Sequence, residues 1–266
     1  MAKFRQLIQK GLAPFGYELK RLSSSQVDFE AFENLANGYE QSVNDSGERL
    51  TPNALRLKLL SRMMGTGPAQ AYFIVRALEA CKDVAGDVCE FGVAQGATSA
   101  LIANELAASG SKRLHLFDSF EGLPQPTEKD QLKDDIYSLG SMQAYAGKMS
   151  CPEDMVQARL GAIGFPAERY SVHKGFVDAV LRERRGLPVK VSFAYVDFDF
   201  YEPIGAALNF LHDITDRGAM FIVDDYDFFS TGAKSAVDEF VAAKAPAYRC
   251  VVPDKRHGCF AVLTKL

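Results

Sequence analysis

Short apolar runs rich in Val, Ile and Phe alternate with segments whose apolar residues recur every three or four positions, from about residue 86 to the end of the chain. The runs are Val88–Val93, Arg113–Phe120, Tyr170–Phe176, Val191–Asp199, Ala219–Tyr226, Tyr248–Pro253 and Cys259–Leu263. Their length and β-branched content predict strands. Between them, Thr98–Ser109, Pro152–Gly164, Val177–Arg185, Pro203–Arg217 and Lys234–Ala243 carry the spacing of helices with one buried face. Such alternation predicts an α/β fold, a mostly parallel sheet with helices on both faces. The last two runs are joined only by the polar turn Asp254–Gly258, so the sheet is expected to end in an antiparallel C-terminal hairpin and to hold seven strands.

Upstream, Leu55–Met64 and Gln70–Cys81 have helical periodicity and no strand pattern. Residues 1–64 are therefore read as an N-terminal helical appendage, an arm or cap, and residues 65–266 as the main domain. Within the latter, Glu121–Ser150 is longer than an ordinary connection and is expected to be a functional, lid-like insertion.

Composition narrows the partners. A formal net charge of −4 over 266 residues gives no general attraction to nucleic acid or an anionic membrane. No apolar run reaches the roughly 18 residues of a membrane span. The N-terminal stretch "MAKFRQLIQKGLAPFGYELKRL" is basic and lacks the apolar centre of a signal peptide, which fits an exposed helix or a dimer-contact arm. Five cysteines without framework spacing read as reduced thiols, which places the chain in the cytoplasm.

The candidate chemistry lies where strands end. The first predicted strand runs into "EFGVAQGATSALIA", in which Gly92 and Gly96 precede a predicted helix. Glycines there let the backbone turn tightly and approach a ligand, and the helix start offers free N–H donors to an anion. The spacing is not that of the dinucleotide fingerprint, and glycines kept for strand–helix packing remain the alternative. Glu90, Val93, Gln95 and Ser99 flank this turn. The second strand ends in "LHLFDSFEGLP", where Asp118 can accept ribose hydroxyls or serve only as a turn residue, with Ser119 and Phe120 beside it. Gly175 and Phe176 end the third strand, where an adenine edge would lie.

The fourth and fifth strands end in "AYVDFDFYEP" and "FIVDDYDFF". Asp197 and Asp199 share a face if the strand stays extended, and Asp224 and Asp225 end the neighbouring strand, with Asp227 close behind. Carboxylates so close raise one another's pKa unless water or a cation separates them. A hard divalent cation, Mg²⁺ or Mn²⁺, would relieve the repulsion; solvated strand-end aspartates are the other reading.

Together, "EFGVAQGATSALIA", "LHLFDSFEGLP", "YVDFDFYEP" and "FIVDDYDFFSTGAKSAVDEF" resemble the macrocin O-methyltransferase (TylF-like) family, from about Gly65 to the C-terminus. The resemblance implies a class I methyltransferase (Rossmann-like) fold and Mg²⁺-dependent methyl transfer from S-adenosyl-L-methionine to a sugar hydroxyl. The acceptor would belong to a natural-product glycoside or a polysaccharide, and a homodimer is expected. The resemblance also implies that Glu90, Gly92 and Gly96 line the methionine end of the cofactor, that Asp118 holds the ribose, and that Asp197, Asp224 and Asp225 hold the metal. Related catechol-type enzymes place a lysine three residues after the first metal aspartate; that position here is Phe200. Asp199 or His257 is then the expected proton acceptor. Two rivals remain at this level: an NAD(P)-dependent Rossmann oxidoreductase, which would share the glycine turn and Asp118, and a non-catalytic, cofactor-binding assembly subunit.

Overall fold

The structure, a computed structural model, describes residues 53–266. These fall within one compact unit, Gly38–Leu266. The arm expected over residues 1–64 lies outside the described residues except for its last turns. There, α1 (Arg56–Leu60) is fastened to α3 (Ala97–Ser109) by a buried ion pair, Arg56 to Glu105 at 2.6 Å. Removing one partner of such a pair strands a buried charge and costs about 3–5 kcal/mol.

All seven expected strands form: β1 (Asp87–Phe91), β2 (Leu114–Asp118), β3 (Tyr170–Lys174), β4 (Val191–Val196), β5 (Thr215–Val223), β6 (Tyr248–Val251) and β7 (Ala261–Lys265). Their order is β3-β2-β1-β4-β5-β7-β6. The first five are parallel, while β7 is antiparallel to both β5 and β6. The terminal hairpin thus inserts its second strand next to β5, and its first becomes the sheet edge.

Side-chain alternation splits the core into two layers. On β4, Ala194 and Val196 face one way with Phe221 and Val223 of β5; they pack under α6 (Tyr201–Asp213) and α7 (Gly232–Ala243). Phe193 and Tyr195 face the other way with Ile222, beneath α2 (Pro68–Ala80), α3 and α4 (Glu153–Ala162). A short α5 (Val177–Glu183) follows β3. No described helix is long and apolar enough to cross a membrane.

Apart from β7, the observed strands stop short of the predicted runs at their C-terminal ends. Backbone φ turns positive at Phe120 (58°), Asp199 (62°) and Asp225 (55°), so the chain leaves the sheet while the sequence still reads as apolar or aromatic. Upstream of β5 the boundary moves the other way. The helix expected to reach Arg217 ends at Asp213, where the Leu211 carbonyl accepts from the Ile214 N–H at 3.3 Å and from the Thr215 hydroxyl at 2.7 Å.

Residues 121–150 form an ordered cover with a small core of its own. Leu123, Met142 and Tyr145 pack with Phe200 and Phe229. Asp130 clamps the segment to the body by accepting from the Tyr201 N–H at 2.8 Å and from the Thr127 N–H at 2.7 Å.

Candidate active site

The carboxyl ends of β1, β2, β4 and β5 open on a cavity of about 700 Å³, roofed by the 121–150 segment. Parallel strands put their last residues there because each is followed by a turn into a helix, so ligand-facing groups gather on this edge.

β1 carries Glu90 and Gly92 to the cavity. At Gly92 φ is 86°, and a Cβ would fall 1.8 Å from the Asp197 carbonyl oxygen, so only glycine lets β1 turn so close to β4. The Glu90 side chain is wholly buried. Ser99 donates to one of its oxygens at 2.5 Å, whereas the other has no hydrogen-bond partner. Burial pushes its pKa up to about 8; the Ser99 bond opposes the rise and the Asp118 charge adds to it. A buried carboxyl with one open oxygen on a cavity suits a cationic or hydrogen-donating ligand group.

Asp118 is more committed than expected. Its carboxylate accepts from the N–H groups of Val93 (2.7 Å), Ala94 (2.9 Å) and Phe120 (2.7 Å). It therefore ties the glycine turn to β2, and a ribose would share what acceptor capacity remains. Val93, Gln95, Ser119, Gly175 and Phe176 also line the cavity.

Gly96, Ser99 and Phe120, also expected as cofactor contacts, are not among the residues that line the cavity. Gly96 holds φ at 76°, in the left-handed region that favours glycine, and Val156 of α4 lies 3.2 Å from where a Cβ would stand. Ser99 acts only through Glu90. Phe120 is buried in the layer that packs under α2, α3 and α4.

Across the cavity stand the aspartates. The Asp197 N–H donates to the Phe91 carbonyl (2.7 Å) and the Asp224 N–H to the Val196 carbonyl (2.8 Å), so both sit at the last rung of the ladder. The strand does not extend to Asp199. Instead a tight turn, with the Phe200 N–H donating to the Phe198 carbonyl at 2.6 Å, swings Asp199 in. Carboxylate oxygens of Asp197, Asp199 and Asp225 then lie within 4.8 Å of one another. Burial drives all three pKa values upward, Asp199 to about 7; the hydrogen bond between Asp199 and Asp225 lowers the former and raises the latter, and neighbouring carboxylates add to the rise.

Asp224, expected to complete the metal set with Asp197 and Asp225, is turned elsewhere. One oxygen accepts from the Tyr195 hydroxyl and the other from the Asp225 N–H at 2.8 Å. The Tyr195 hydroxyl in turn meets Gln70 in the first turn of α2 and Thr66 just before that helix, each at 3.3 Å, and Thr66 meets Thr98 at 3.2 Å. Asp199 takes the place in the cluster that the sequence assigned to Asp224. Asp227 leaves the cluster altogether: Lys133 and Lys255 hold it, with its pKa lowered to about 2.

His257, the other expected proton acceptor, lies apart from the cluster. It is buried against Phe73, with ring centroids 5.6 Å apart, and is not among the cavity-lining residues. Conversely, nothing in the sequence marks Tyr195, Thr66 or Gln70 as members of the site. Their contacts span 125 and 129 positions, so nothing local records them. Tyr137 and Phe228, half-exposed aromatics at the mouth, were unmarked for the same reason.

Comparison with known proteins adds an independent line. Residues 63–247 match the profile of the macrocin-O-methyltransferase (TylF) family. Among curated proteins the sequence finds no match. Among solved structures, the O-methyltransferase NovP superposes with a TM-score of 0.62 at 22% identity, covering 75% of this chain and 80% of its own. The calicheamicin methyltransferase CalS11 gives 0.59 at 21% identity over 92% and 94% of the two chains. An O-methyltransferase from Bacillus cereus, solved with S-adenosylhomocysteine (SAH), gives 0.54 at 12% identity over 87% and 99%. At these identities the likeness bears on the fold.

Proposed function

The chain belongs to the macrocin O-methyltransferase (TylF) family of S-adenosylmethionine-dependent O-methyltransferases, and we propose that it methylates a sugar hydroxyl with the help of a divalent cation, Mg²⁺ or Mn²⁺. The observation that carries this reading is the convergence of Asp197, Asp199 and Asp225 on the cavity that also holds the open Glu90 oxygen and Asp118. A nicotinamide enzyme has no use for three such carboxylates opposite its cofactor turn. NovP and CalS11, both described as methyltransferases and the latter of calicheamicin, support natural-product chemistry as the setting.

S-adenosylmethionine supplies a methyl group on a sulfonium, electrophilic toward an oxygen nucleophile. Glu90 would receive its ammonium on the open oxygen, the start of α3 its carboxylate, Asp118 its ribose and Phe176 its adenine. The donor set of Asp197, Asp199 and Asp225 fits a hard cation with oxygen ligands, and Asp224 supports the set from behind through the Asp225 N–H. Held there, such a cation would lower the pKa of an acceptor hydroxyl and help to orient it. Asp199, turned into the same cluster, is the carboxylate placed to take the hydroxyl proton. The roof formed by residues 121–150 would limit the access of water to the attacking hydroxyl.

Calorimetric titration of SAH tests the cofactor half, and methyl transfer to sugar acceptors in Mg²⁺ against EDTA tests the cation. Micromolar SAH binding together with EDTA-sensitive transfer is expected. Transfer that survives exhaustive chelation would remove the cation from the reading, and absent SAH binding would remove the cofactor assignment.

A further inference from the structure

Resting on the cation reading above, we infer that Tyr195 is a positioning residue. Its hydroxyl decides which strand-end carboxylates form the cation set, by holding Asp224 out of the cluster that Asp199 then completes.

The first ground is where each proton must lie. Tyr195 is wholly buried on β4, two residues before Asp197. Its hydroxyl has one proton to give and two lone pairs. The Asp224 carboxylate, an acceptor only, takes the proton. The Gln70 amide donates to the hydroxyl at 3.3 Å. Thr66, also at 3.3 Å, fills the remaining lone pair, so its own proton is spent on Tyr195. Thr66 then accepts from Thr98, in the first turn of α3, at 3.2 Å. Every bond in this chain points one way, from Thr98 through Thr66 and Tyr195 to Asp224. All five side chains are buried, where hydrogen bonds reinforce one another, so the hydroxyl has no other direction to turn.

The second ground is the station of Asp224. It stands next to Asp225, its N–H bonds the Val196 carbonyl one residue before Asp197, and it lines the same cavity as the cluster. Its position admits it to the cation set; its hydrogen bonds do not. One oxygen is held by Tyr195, and the other accepts from the Asp225 N–H at 2.8 Å. Gln70 adds a side-chain hydrogen bond to the same carboxylate. The bond to the Asp225 N–H also braces the backbone there, where φ is 55°, while the Asp225 carboxylate joins those of Asp197 and Asp199. Without the Tyr195 hydroxyl, one Asp224 oxygen is a buried acceptor short of its donor, and a cation in the cavity is the partner that would draw it in. Four carboxylates would then face one site, and added ligand charge tightens the hold on a divalent cation.

The test titrates Mn²⁺ into the full chain and follows the free ion by electron paramagnetic resonance, with the melting transition as a check on each variant's fold. Asp199→Asn should weaken Mn²⁺ binding about tenfold or more. Asp224→Asn keeps an oxygen for the Asp225 N–H and should change it by less than about threefold. Tyr195→Phe should tighten Mn²⁺ binding about tenfold, and adding Asp224→Asn should return the affinity to the wild-type value. A tyrosine that only supported the fold would leave Mn²⁺ binding unmoved or weaken it, and Asp224→Asn would not reverse the change. Equal weakening by Asp224→Asn and Asp199→Asn overturns the inference. So does a folded Tyr195→Phe protein that binds Mn²⁺ no more tightly than wild type. Should Tyr195→Phe fail to fold, the comparison of Asp199→Asn with Asp224→Asn, in which Tyr195 is intact, decides alone. Wild-type protein that takes up no Mn²⁺ at millimolar concentration fails earlier, at the cation reading, and the two failures are thereby told apart.

Discussion

The two edges of the parallel sheet handle charge in opposite ways. At the amino edge, charged side chains meet partners of their own. The Lys112 ammonium donates to the carbonyls of Val84 and Gly86 and to the Ser192 hydroxyl, the latter two at 2.8 and 2.9 Å. Asp87 accepts from the Arg113 N–H at 3.0 Å and meets His115 at 3.3 Å. Burial pulls the Asp87 pKa up, but the His115 and Arg113 bonds outweigh it and the net shift is downward. At the carboxyl edge, like charges gather, one Glu90 oxygen is left open, and Ala94, Phe120, Asp199 and Asp225 all adopt positive φ. Such conformations cost of order 1 kcal/mol or more for a residue other than glycine. An edge that balances its own charges is complete as structure. An edge that concentrates them under strain is built for what it binds.

The contrast can be broken most sharply at Asp225. Asp225→Ala should reduce methyl transfer by about three orders of magnitude or more, as loss of a group that stabilises developing charge does. SAH affinity by calorimetry should stay within a few fold. Near-normal turnover would remove Asp225 from the cation set.

Gly92→Ala asks whether the close approach of β1 to β4 is obligatory. A methyl group placed 1.8 Å from a backbone oxygen at φ 86° leaves no relaxed solution, and a loss of about 3 kcal/mol or more is expected in the urea midpoint. A loss under about 1 kcal/mol would mean that the turn yields readily.

The pH dependence of stability separates the edges without mutation. Glu90, near 8, and Asp199, near 7, hold protons in the folded protein more tightly than the roughly 4 of an unfolded chain. Between those values the unfolded state has released protons that the folded state retains, so the stability of the ligand-free protein should fall as pH rises from about 4 and level off above about 8. Melting temperatures in EDTA should decline across that window. Mg²⁺ with SAH should flatten the decline, because bound cations favour the charged forms. A ligand-free melting curve that rises toward pH 8 would contradict the protonation assigned to these groups.

The smallest effects belong to the amino edge. Lys190→Ala removes an exposed pair with Asp216, both side chains 53% exposed, and should change stability by about 0–1 kcal/mol. Methyl transfer should be unaffected. A marked loss of activity there would blur the division between the edges.

Strand order along the chain, the two-sided helix cover and the terminal antiparallel pair were legible because burial on both faces leaves unbroken apolar runs, and helices leave a three- to four-residue beat. Gly92 was legible as a turn. The carboxylates of Asp197 and Asp225 were legible as a cluster, since adjacent strand ends in a parallel sheet must share one crevice. What the sequence could not assign was direction within the crevice. Asp199 and Asp224 look alike in one dimension, each within two residues of a strand end. A positive φ at Asp199 turns its carboxylate into the cluster, and the Tyr195 hydroxyl, 29 positions away, holds Asp224 outside it. Asp227 looks like part of the same run until two lysines from remote loops neutralise it. Periodicity and residue type are local properties, so the chain by itself determined the sheet, its layers and where the chemistry would gather. The partner of each carboxylate depends on side chains that only folding brings within 3 Å or so, and that choice was made by the tertiary structure alone.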